Sequence, residues 1–292
     1  MCKISTVFWI ISSIFCLHCA AQGGFERAEE LLEHGEITRA RLLFEEINDK
    51  PEALERLGDI ASFEKKWDLA IGYYDNLVEE YPESARYNFK LGGAMGMKAM
   101  QVPKIQAALM LGDIKFHLNK AAELDKTNPE VRRALVEFYM QIPGIVGGSR
   151  EVAEDFARQL KDINPIDYYL AKAYIYKTDG EAEAARNMVK NAILLASEDK
   201  SLIRRNYLYY ELGTLGSKYN LYPEMSIAFL EKYIQNYGYK DLKSPDWARY
   251  RIARIKADQD RKGEALALIE QVLQNNPDFE EAKREKERIL KL

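Results

Sequence analysis

The sequence has little cysteine, and none of it lies beyond residue 19. Its three cysteines are Cys2, Cys16 and Cys19, so the rest of the 292 residues contain none. A chain without cysteine needs neither a reducing compartment nor disulfide formation. Beyond residue 19 the chain is therefore suited to an oxidising compartment, although this composition alone does not require one.

Histidine is equally scarce, and catalytic residue patterns are missing. Beyond the first twenty residues the histidines are His34 and His117, each alone on a helix-like stretch without a partner at metal-ligand spacing. Acidic pairs such as Glu45-Glu46 are adjacent, so they point about 100° apart around a helix and are typical of a solvated face. The sequence therefore predicts no enzyme activity, no cofactor and no metal site.

The chain also lacks a strong charge of either sign. Its 46 acidic and 42 basic residues give a net charge of −4, and 47% of the residues are hydrophobic. A folded protein of this composition has no general attraction to nucleic acid or to anionic lipid. We therefore expect no nucleic-acid partner.

No apolar run is long enough to span a bilayer. The longest, residues 4–17, has about fourteen residues, which suits a signal peptide and is shorter than the ~20 residues of a membrane span. Lys3 precedes this run, and Cys19-Ala20-Ala21 supplies small residues before a cleavage point. We predict that residues 1–21 are a signal peptide cleaved after Ala21, leaving an exported, periplasmic chain without a transmembrane span. The alternative is a lipoprotein modified at Cys19. His18 argues against it, because the lipoprotein signal prefers a small residue at that position.

Prolines are few, and all of them lie at breaks between stretches with helical periodicity. Proline lacks an amide hydrogen and clashes with the preceding turn, so it marks helix boundaries. The stretches between the breaks carry apolar residues three and four positions apart, and none alternates as a strand would. The sequence therefore predicts an all-α protein. The nine prolines are Pro51, Pro82, Pro103, Pro129, Pro143, Pro165, Pro223, Pro245 and Pro277.

The most regular segment, residues 51–84, has the features of a helical hairpin. Gly58 and Ala70 are small where two helices would cross, and Pro82 closes the second helix. This segment resembles a tetratricopeptide repeat over its full length, and the chain is similar to exported bacterial proteins of that family. The residues that carry the resemblance are Leu54, Leu57, Gly58, Ala61, Ala70, Tyr74, Leu77 and Pro82.

The resemblance extends, in degenerate form, over residues 22–292. It implies an α-α superhelix, a solenoid of about six to seven helix hairpins, with an insertion at about 101–112 and a capping helix at 278–292. In the family, the first helix of each hairpin lines a concave groove that binds a protein or peptide. Carried over, the groove positions are Glu55, Arg56, Asp59, Phe63, Arg86, Phe89, Lys90, Met97, Leu170, Tyr174, Lys177, Tyr207 and Tyr210. Glu55 and Asp59 stand where the family members that bind a terminal carboxylate have Lys and Asn, so we do not expect that activity.

Tyrosine is abundant, with eighteen residues, and it is dense from Tyr207 to Tyr239. Because tyrosine buries a large ring while keeping a polar tip, it is a frequent interface anchor. These repeats also use tyrosine as ordinary packing, which is our interpretation of Tyr209 and Tyr233.

The segment Pro143–Ser149 (PGIVGGS) is the least repeat-like part of the chain. Paired glycines could let backbone amides approach an anion. We favour an enlarged turn instead, in which Gly147 and Gly148 adopt unusual backbone angles and Ser149 caps the next helix.

Three hypotheses about function follow. The leading one is a non-enzymatic protein-interaction scaffold of the cell envelope that holds a partner segment in the groove. The second is a membrane-held lipoprotein subunit of an outer-membrane assembly complex. The third is a small-ligand carrier or enzyme that uses the Pro143–Ser149 loop.

Overall fold

The computed structural model describes residues 23–292, and within this range the chain is entirely helical, without a strand. The predicted signal peptide at 1–21, its cleavage after Ala21 and the alternative lipidation of Cys19 lie outside the described residues. None of the helices between residues 23 and 292 combines the length and the apolar character that crossing a membrane requires.

Residues 23–292 contain fifteen α-helices and two short 3₁₀ helices, Gly144–Val146 and Lys200–Leu202. Successive helices pair as α1–α2 through α13–α14, and α15 follows the seventh pair. The predicted all-α, hairpin-based fold class is therefore confirmed. The helices are α1 (residues 23–33), α2 (Ile37–Glu46), α3 (Pro51–Phe63), α4 (Trp67–Glu80), α5 (Ala85–Ala99), α6 (Lys104–Leu124), α7 (Pro129–Gln141), α8 (Arg150–Ile163), α9 (Pro165–Thr178), α10 (Ala182–Glu198), α11 (Asn206–Tyr219), α12 (Pro223–Gln235), α13 (Pro245–Asp258), α14 (Lys262–Asn275) and α15 (Glu280–Lys291).

Asn-Pro junctions start two of these helices in the same way. At α7 the Asn128 side chain accepts hydrogen bonds from the Glu130 and Val131 amides, and Pro129 opens the helix. At α9 Asn164 does the same for the two amides that follow Pro165. A first-turn amide has no partner inside the helix, so the asparagine supplies one, and proline has no such amide to satisfy.

The helices form two compact units. Unit 1 contains α1–α6 together with the separate segment Gly238–Leu242, and unit 2 contains α7–α15. Each unit buries its own apolar side chains between successive helices. In unit 1 the buried residues include Phe44, Leu57, Leu77 and Leu91, and in unit 2 they include Leu160, Ile193, Leu212, Tyr233 and Ile269.

Small residues let helices approach closely where the hairpins cross. A Cβ atom added at Gly58 of α3 would lie 2.4 Å from the ring of Tyr74 on α4, so glycine is required there. Gly213 of α11 meets the same steric requirement, since a Cβ atom added there would lie 2.5 Å from Leu230 on α12. These crossings bury the rings and aliphatic side chains that hold each hairpin together.

Helix α6 is unusually long, with 21 residues. Residues 101–103 form the turn after α5, and from Lys104 onward the predicted insertion is helical. The C-terminal half of α6 packs on α5 through Ile114, Leu118 and Ala121, which are buried. Most side chains of its first turns are exposed.

Candidate functional site

Helices α3 and α5 direct charged side chains into one pocket of unit 1. The pocket has a volume of about 470 Å³. That is large enough for a few side chains of a bound segment. Segment Gly238–Leu242 of the same unit forms part of its wall. The lining residues are Glu55, Arg56, Asp59, Ser62, Phe63, Arg86, Lys90, Tyr239, Lys240 and Leu242.

Glu55 lies at the base of this pocket and is only 2% exposed. Its carboxylate is 2.7 Å from Lys90 Nζ and 3.0 Å from Arg86 Nη2, both on α5. A buried carboxylate needs such partners because its desolvation is costly. Glu55 therefore lines the pocket at a predicted groove position, but its carboxylate is already paired with cations of its own chain.

Asp59, one turn further along α3, is also paired internally. It accepts a hydrogen bond of 2.7 Å from the Tyr74 hydroxyl and forms an ion pair with Lys90. Burial, together with the charge of Asp59, raises the pKa of Tyr74, so its hydroxyl remains a donor. The two acidic groups of the pocket are thus neutralised by their own neighbours.

Arg56 connects the pocket to α1 and to the segment Gly238–Leu242. Its Nε donates a hydrogen bond to Glu29 of α1. Burial alone would lower the pKa of Arg56, but the bond to Glu29 and the nearby Tyr239 and Asp59 raise it above its usual value. Burial raises the pKa of Tyr239 to about 12, with Glu29 adding to the shift. Arg56 therefore stays charged and Tyr239 stays protonated at neutral pH.

The pocket offers positive charge beside apolar surface. The Arg86 side chain is 59% exposed even though it pairs with Glu55, and Lys240 is exposed at the rim. Phe63 and Leu242 add half-buried apolar surface to the wall. Cations at a partly desolvated rim favour an acidic group, and the adjoining apolar surface favours a hydrophobic side chain.

The structure brings together six of the predicted groove residues of unit 1, namely Glu55, Arg56, Asp59, Phe63, Arg86 and Lys90. Two others from the same unit lie elsewhere. Phe89 is half-buried on α5 outside the pocket lining, and Met97 packs against the apolar core around Tyr87 and Leu91.

The predicted groove residues of unit 2 divide into core and surface. Leu170 is 1% exposed and Tyr210 is 5% exposed, so both are core residues and are not available to a partner. This corrects their place in the predicted set. Tyr174 remains partly exposed and accepts a hydrogen bond of 2.9 Å from Gln141, while Lys177 and Tyr207 are exposed.

Beneath these surface residues lies a buried ion-pair network between α7, α9 and α11. Asp167 has no exposed surface, and Arg205 contacts its carboxylate at 2.6 and 2.9 Å. Arg133 lies 3.3 Å from Asp167 and donates to Glu211 at 2.5 Å. Burial opposes the charge of Arg133, but Glu211 and its other acidic neighbours raise its pKa above the usual value. Paired in this way, the four groups link three helices of unit 2.

Neither cluster has the composition of a metal centre. Across residues 23–292, no group of three or more His, Cys, Asp or Glu side chains is arranged to hold a metal ion. The acidic groups in both clusters are instead bound to Arg, Lys or Tyr.

The Pro143–Ser149 loop is an enlarged turn, as the sequence predicts. Gly147 has a φ of +100°, and a Cβ atom at Gly148 would collide with the Ile142 carbonyl oxygen at 1.9 Å. The Ser149 hydroxyl accepts a hydrogen bond from the Val152 amide and so caps α8. The glycines thus meet backbone requirements of the turn.

The segment Gly238–Leu242 is the part of the pocket that the repeat pattern misses. Tyr239 belongs to the tyrosine-dense stretch. Such a stretch indicates an interface but does not show where in the fold it lies. Neither Lys240 nor Leu242 belongs to a repeat position, and only the tertiary structure places them beside α3. Ser62 of α3 also lines the pocket and was not among the predicted residues.

Comparison with known proteins supports the repeat assignment. Residues 52–84 match the family model described as a tetratricopeptide repeat. This confirms the resemblance for the segment concerned, which includes the pocket residues of α3. No curated protein sequence is significantly similar to the chain.

Solved structures share the fold at low sequence identity. A tetratricopeptide repeat protein from Parabacteroides merdae is 13% identical, with a TM-score of 0.50 over 92% of this chain and 98% of that one. The APC/C hetero-tetramer Cut9-Hcn1 has a chain 15% identical, with a TM-score of 0.55 over 90% of this chain and 48% of that one. The human IFIT1 dimer with PPP-AAAA has a chain 16% identical, with a TM-score of 0.52 over 87% of this chain and 55% of that one. These similarities show a tetratricopeptide-type fold.

Proposed function

We propose that this protein is a non-enzymatic interaction scaffold that binds a segment of a partner protein in the pocket between α3 and α5. One observation carries the proposal: six positions predicted from the repeat pattern line a single pocket of about 470 Å³, namely Glu55, Arg56, Asp59, Phe63, Arg86 and Lys90. The fold class supports it, since tetratricopeptide-type folds commonly hold partners on the first helices of their hairpins.

The chemistry of the pocket favours a segment that combines an acidic residue with an apolar one. Glu55 and Asp59 already have partners, so they do not present a net acidic surface. Arg86 and Lys240 are exposed at the rim, and Phe63 and Leu242 form the adjoining apolar wall. An acidic side chain at the rim and a hydrophobic side chain against Phe63 would complement this arrangement.

We place this activity in the cell envelope. The support comes from the sequence of residues 1–21, where a short apolar run after Lys3 is followed by Cys19-Ala20-Ala21. The absence of cysteine from the rest of the chain is compatible with an oxidising compartment.

Site-specific photo-crosslinking in the native host tests the binding site. A benzophenone amino acid replaces Phe63 in the pocket, and a matched variant carries it at Leu69, an exposed residue of α4 outside the pocket. We expect a discrete protein adduct from position 63 that position 69 does not give. Adding Lys240→Glu should reduce the yield of that adduct severalfold, because an acidic segment would be repelled.

Equal adducts at positions 63 and 69, or an adduct at 63 that Lys240→Glu leaves unchanged, would contradict the proposed site. Circular dichroism of each variant establishes that the helices are retained.

A further inference from the structure

Helix α6 carries large apolar side chains that no part of unit 1 covers. Ile105 is 83% exposed, Leu109 80% and Phe116 62%. Gly112 lies among them, with no atom within 4 Å of where its Cβ would be. At positions i, i+4, i+7 and i+11, these four residues form a single stripe along one side of the helix. We call Ile105, Leu109, Gly112 and Phe116 the α6 stripe.

The opposite side of the same helix is buried against α5. Ile114, Leu118 and Ala121 are buried against α5 and account for the attachment of α6 to unit 1. Helix α6 is therefore apolar on two opposite sides, and only one of them packs within its own unit. Single exposed leucines are common on protein surfaces, but a continuous stripe marks an interaction surface.

We propose that the α6 stripe is a self-association surface, through which two copies of this chain pack their α6 helices antiparallel. The stripe is symmetric about its own middle, because Ile105 and Leu109 are four residues apart, as are Gly112 and Phe116. When two stripes run antiparallel, Ile105 of each copy faces Phe116 of the other, and Leu109 faces Gly112. The leucine then enters the gap left by the missing side chain, as a knob enters a hole.

The area of the stripe agrees with a reversible dimer. The apolar side chains of the stripe expose on the order of 500 Å² per copy, within the range of a monomer's largest patch. Two copies would bury roughly 1,000 Å², the size of a weak and reversible interface. Such an interface contains no charged residue in the stripe itself, so it is driven by apolar burial and should tolerate salt.

Analytical ultracentrifugation of the protein as its host produces it tests the proposal. We expect a dimer at tens of micromolar that dissociates on dilution, and Leu109→Glu should leave only monomer. The matched control is Leu42→Glu, which introduces the same charge at a leucine of α2 that is 56% exposed. That control should sediment as the parent does.

A disulfide experiment tests the register separately. In a variant with both Ile105→Cys and Phe116→Cys, the two cysteines of one chain are about 16 Å apart along the helix and cannot bridge. Oxidation should therefore link two copies covalently, which the parent chain and a Leu42→Cys variant should not show. A parent that is monomeric at these concentrations would overturn the proposal, and so would a dimer that survives Leu109→Glu.

Discussion

Single residues at the helix crossings set how closely the hairpins pack. Gly58 faces the Tyr74 ring, and that ring cannot move aside freely because its hydroxyl is hydrogen-bonded to Asp59. The same tyrosine lies under the charged pocket, so packing in the hairpin and geometry of the site depend on one contact. The Gly58 position was predictable, since the repeat pattern requires a small residue there.

We predict that Gly58→Ala destabilises unit 1 even though alanine is the better helix former. The gain in helix propensity is about 1 kcal/mol. The clash with Tyr74 costs about 1–3 kcal/mol when a packed core must shift, and it is compounded by disturbance of the hydrogen bond to Asp59. Urea unfolding should therefore give a lower midpoint than that of the parent.

The matched control is Gly72→Ala in the adjoining helix α4, where a Cβ atom would meet nothing within 4 Å. That variant should be more stable than the parent by about 0.5–1 kcal/mol. A shift of the urea midpoint in the same direction for both alanine variants would contradict the close approach of Gly58 to Tyr74.

At the residue scale, the pairing of charges was the property least predictable from the sequence. The pattern placed Glu55 and Asp59 on the groove side of α3, but it could not show that Arg86 and Lys90 from another helix neutralise them. Ion pairs between helices depend on tertiary distances of a few ångströms. A sequence contains no measure of those distances, so the pairing of these groups could not be predicted.

At the level of whole elements, helix boundaries follow from local chemistry. Prolines open α3, α7, α9, α12 and α13 at their first turns, as the placement of prolines at the breaks indicates. The two asparagines of the Asn-Pro junctions differ in the hydrogen bonds that they make besides capping. Asn128 only caps α7, whereas Asn164 is fully buried and its Nδ2 also donates a hydrogen bond of 2.8 Å to the Leu202 carbonyl.

This difference gives a prediction about the two caps. Asn128→Ala should cost about 1 kcal/mol, the usual effect of losing an N-cap. Asn164→Ala should cost about 2–3 kcal/mol, because it also leaves the Leu202 carbonyl without its partner. Both helices belong to unit 2, so both effects can be compared in the same unfolding transition, measured by urea denaturation. Equal losses would mean that the Asn164–Leu202 bond contributes nothing.

The length of α6 was partly predictable. The repeat period indicates extra residues at about 101–112, and the structure makes most of them helical. The stripe formed by Ile105, Leu109, Gly112 and Phe116 has helical spacing in the sequence. Its exposure could not be derived, because apolar residues on two sides of a helix give no indication of which side the fold covers.

For the molecule as a whole, the repeated hairpins account for most of the fold. Their contacts are between neighbouring helices, so local patterns are sufficient to predict them. The placement of Gly238–Leu242 with α1–α6 is different, since it joins residues about 180 positions apart in the chain. That placement completes the pocket with Tyr239, Lys240 and Leu242, and no repeat pattern predicts it.

The most direct test of the central claim, that the α3–α5 pocket of unit 1 binds a partner, is hydrogen exchange. Amide exchange of the whole protein is measured with and without the partner protein identified by crosslinking. We predict slower exchange in Gly238–Leu242 and in the last turn of α3, which contains Phe63, with little change in α8 and α14. Protection that leaves Gly238–Leu242 and α3 unchanged while appearing elsewhere would contradict the account.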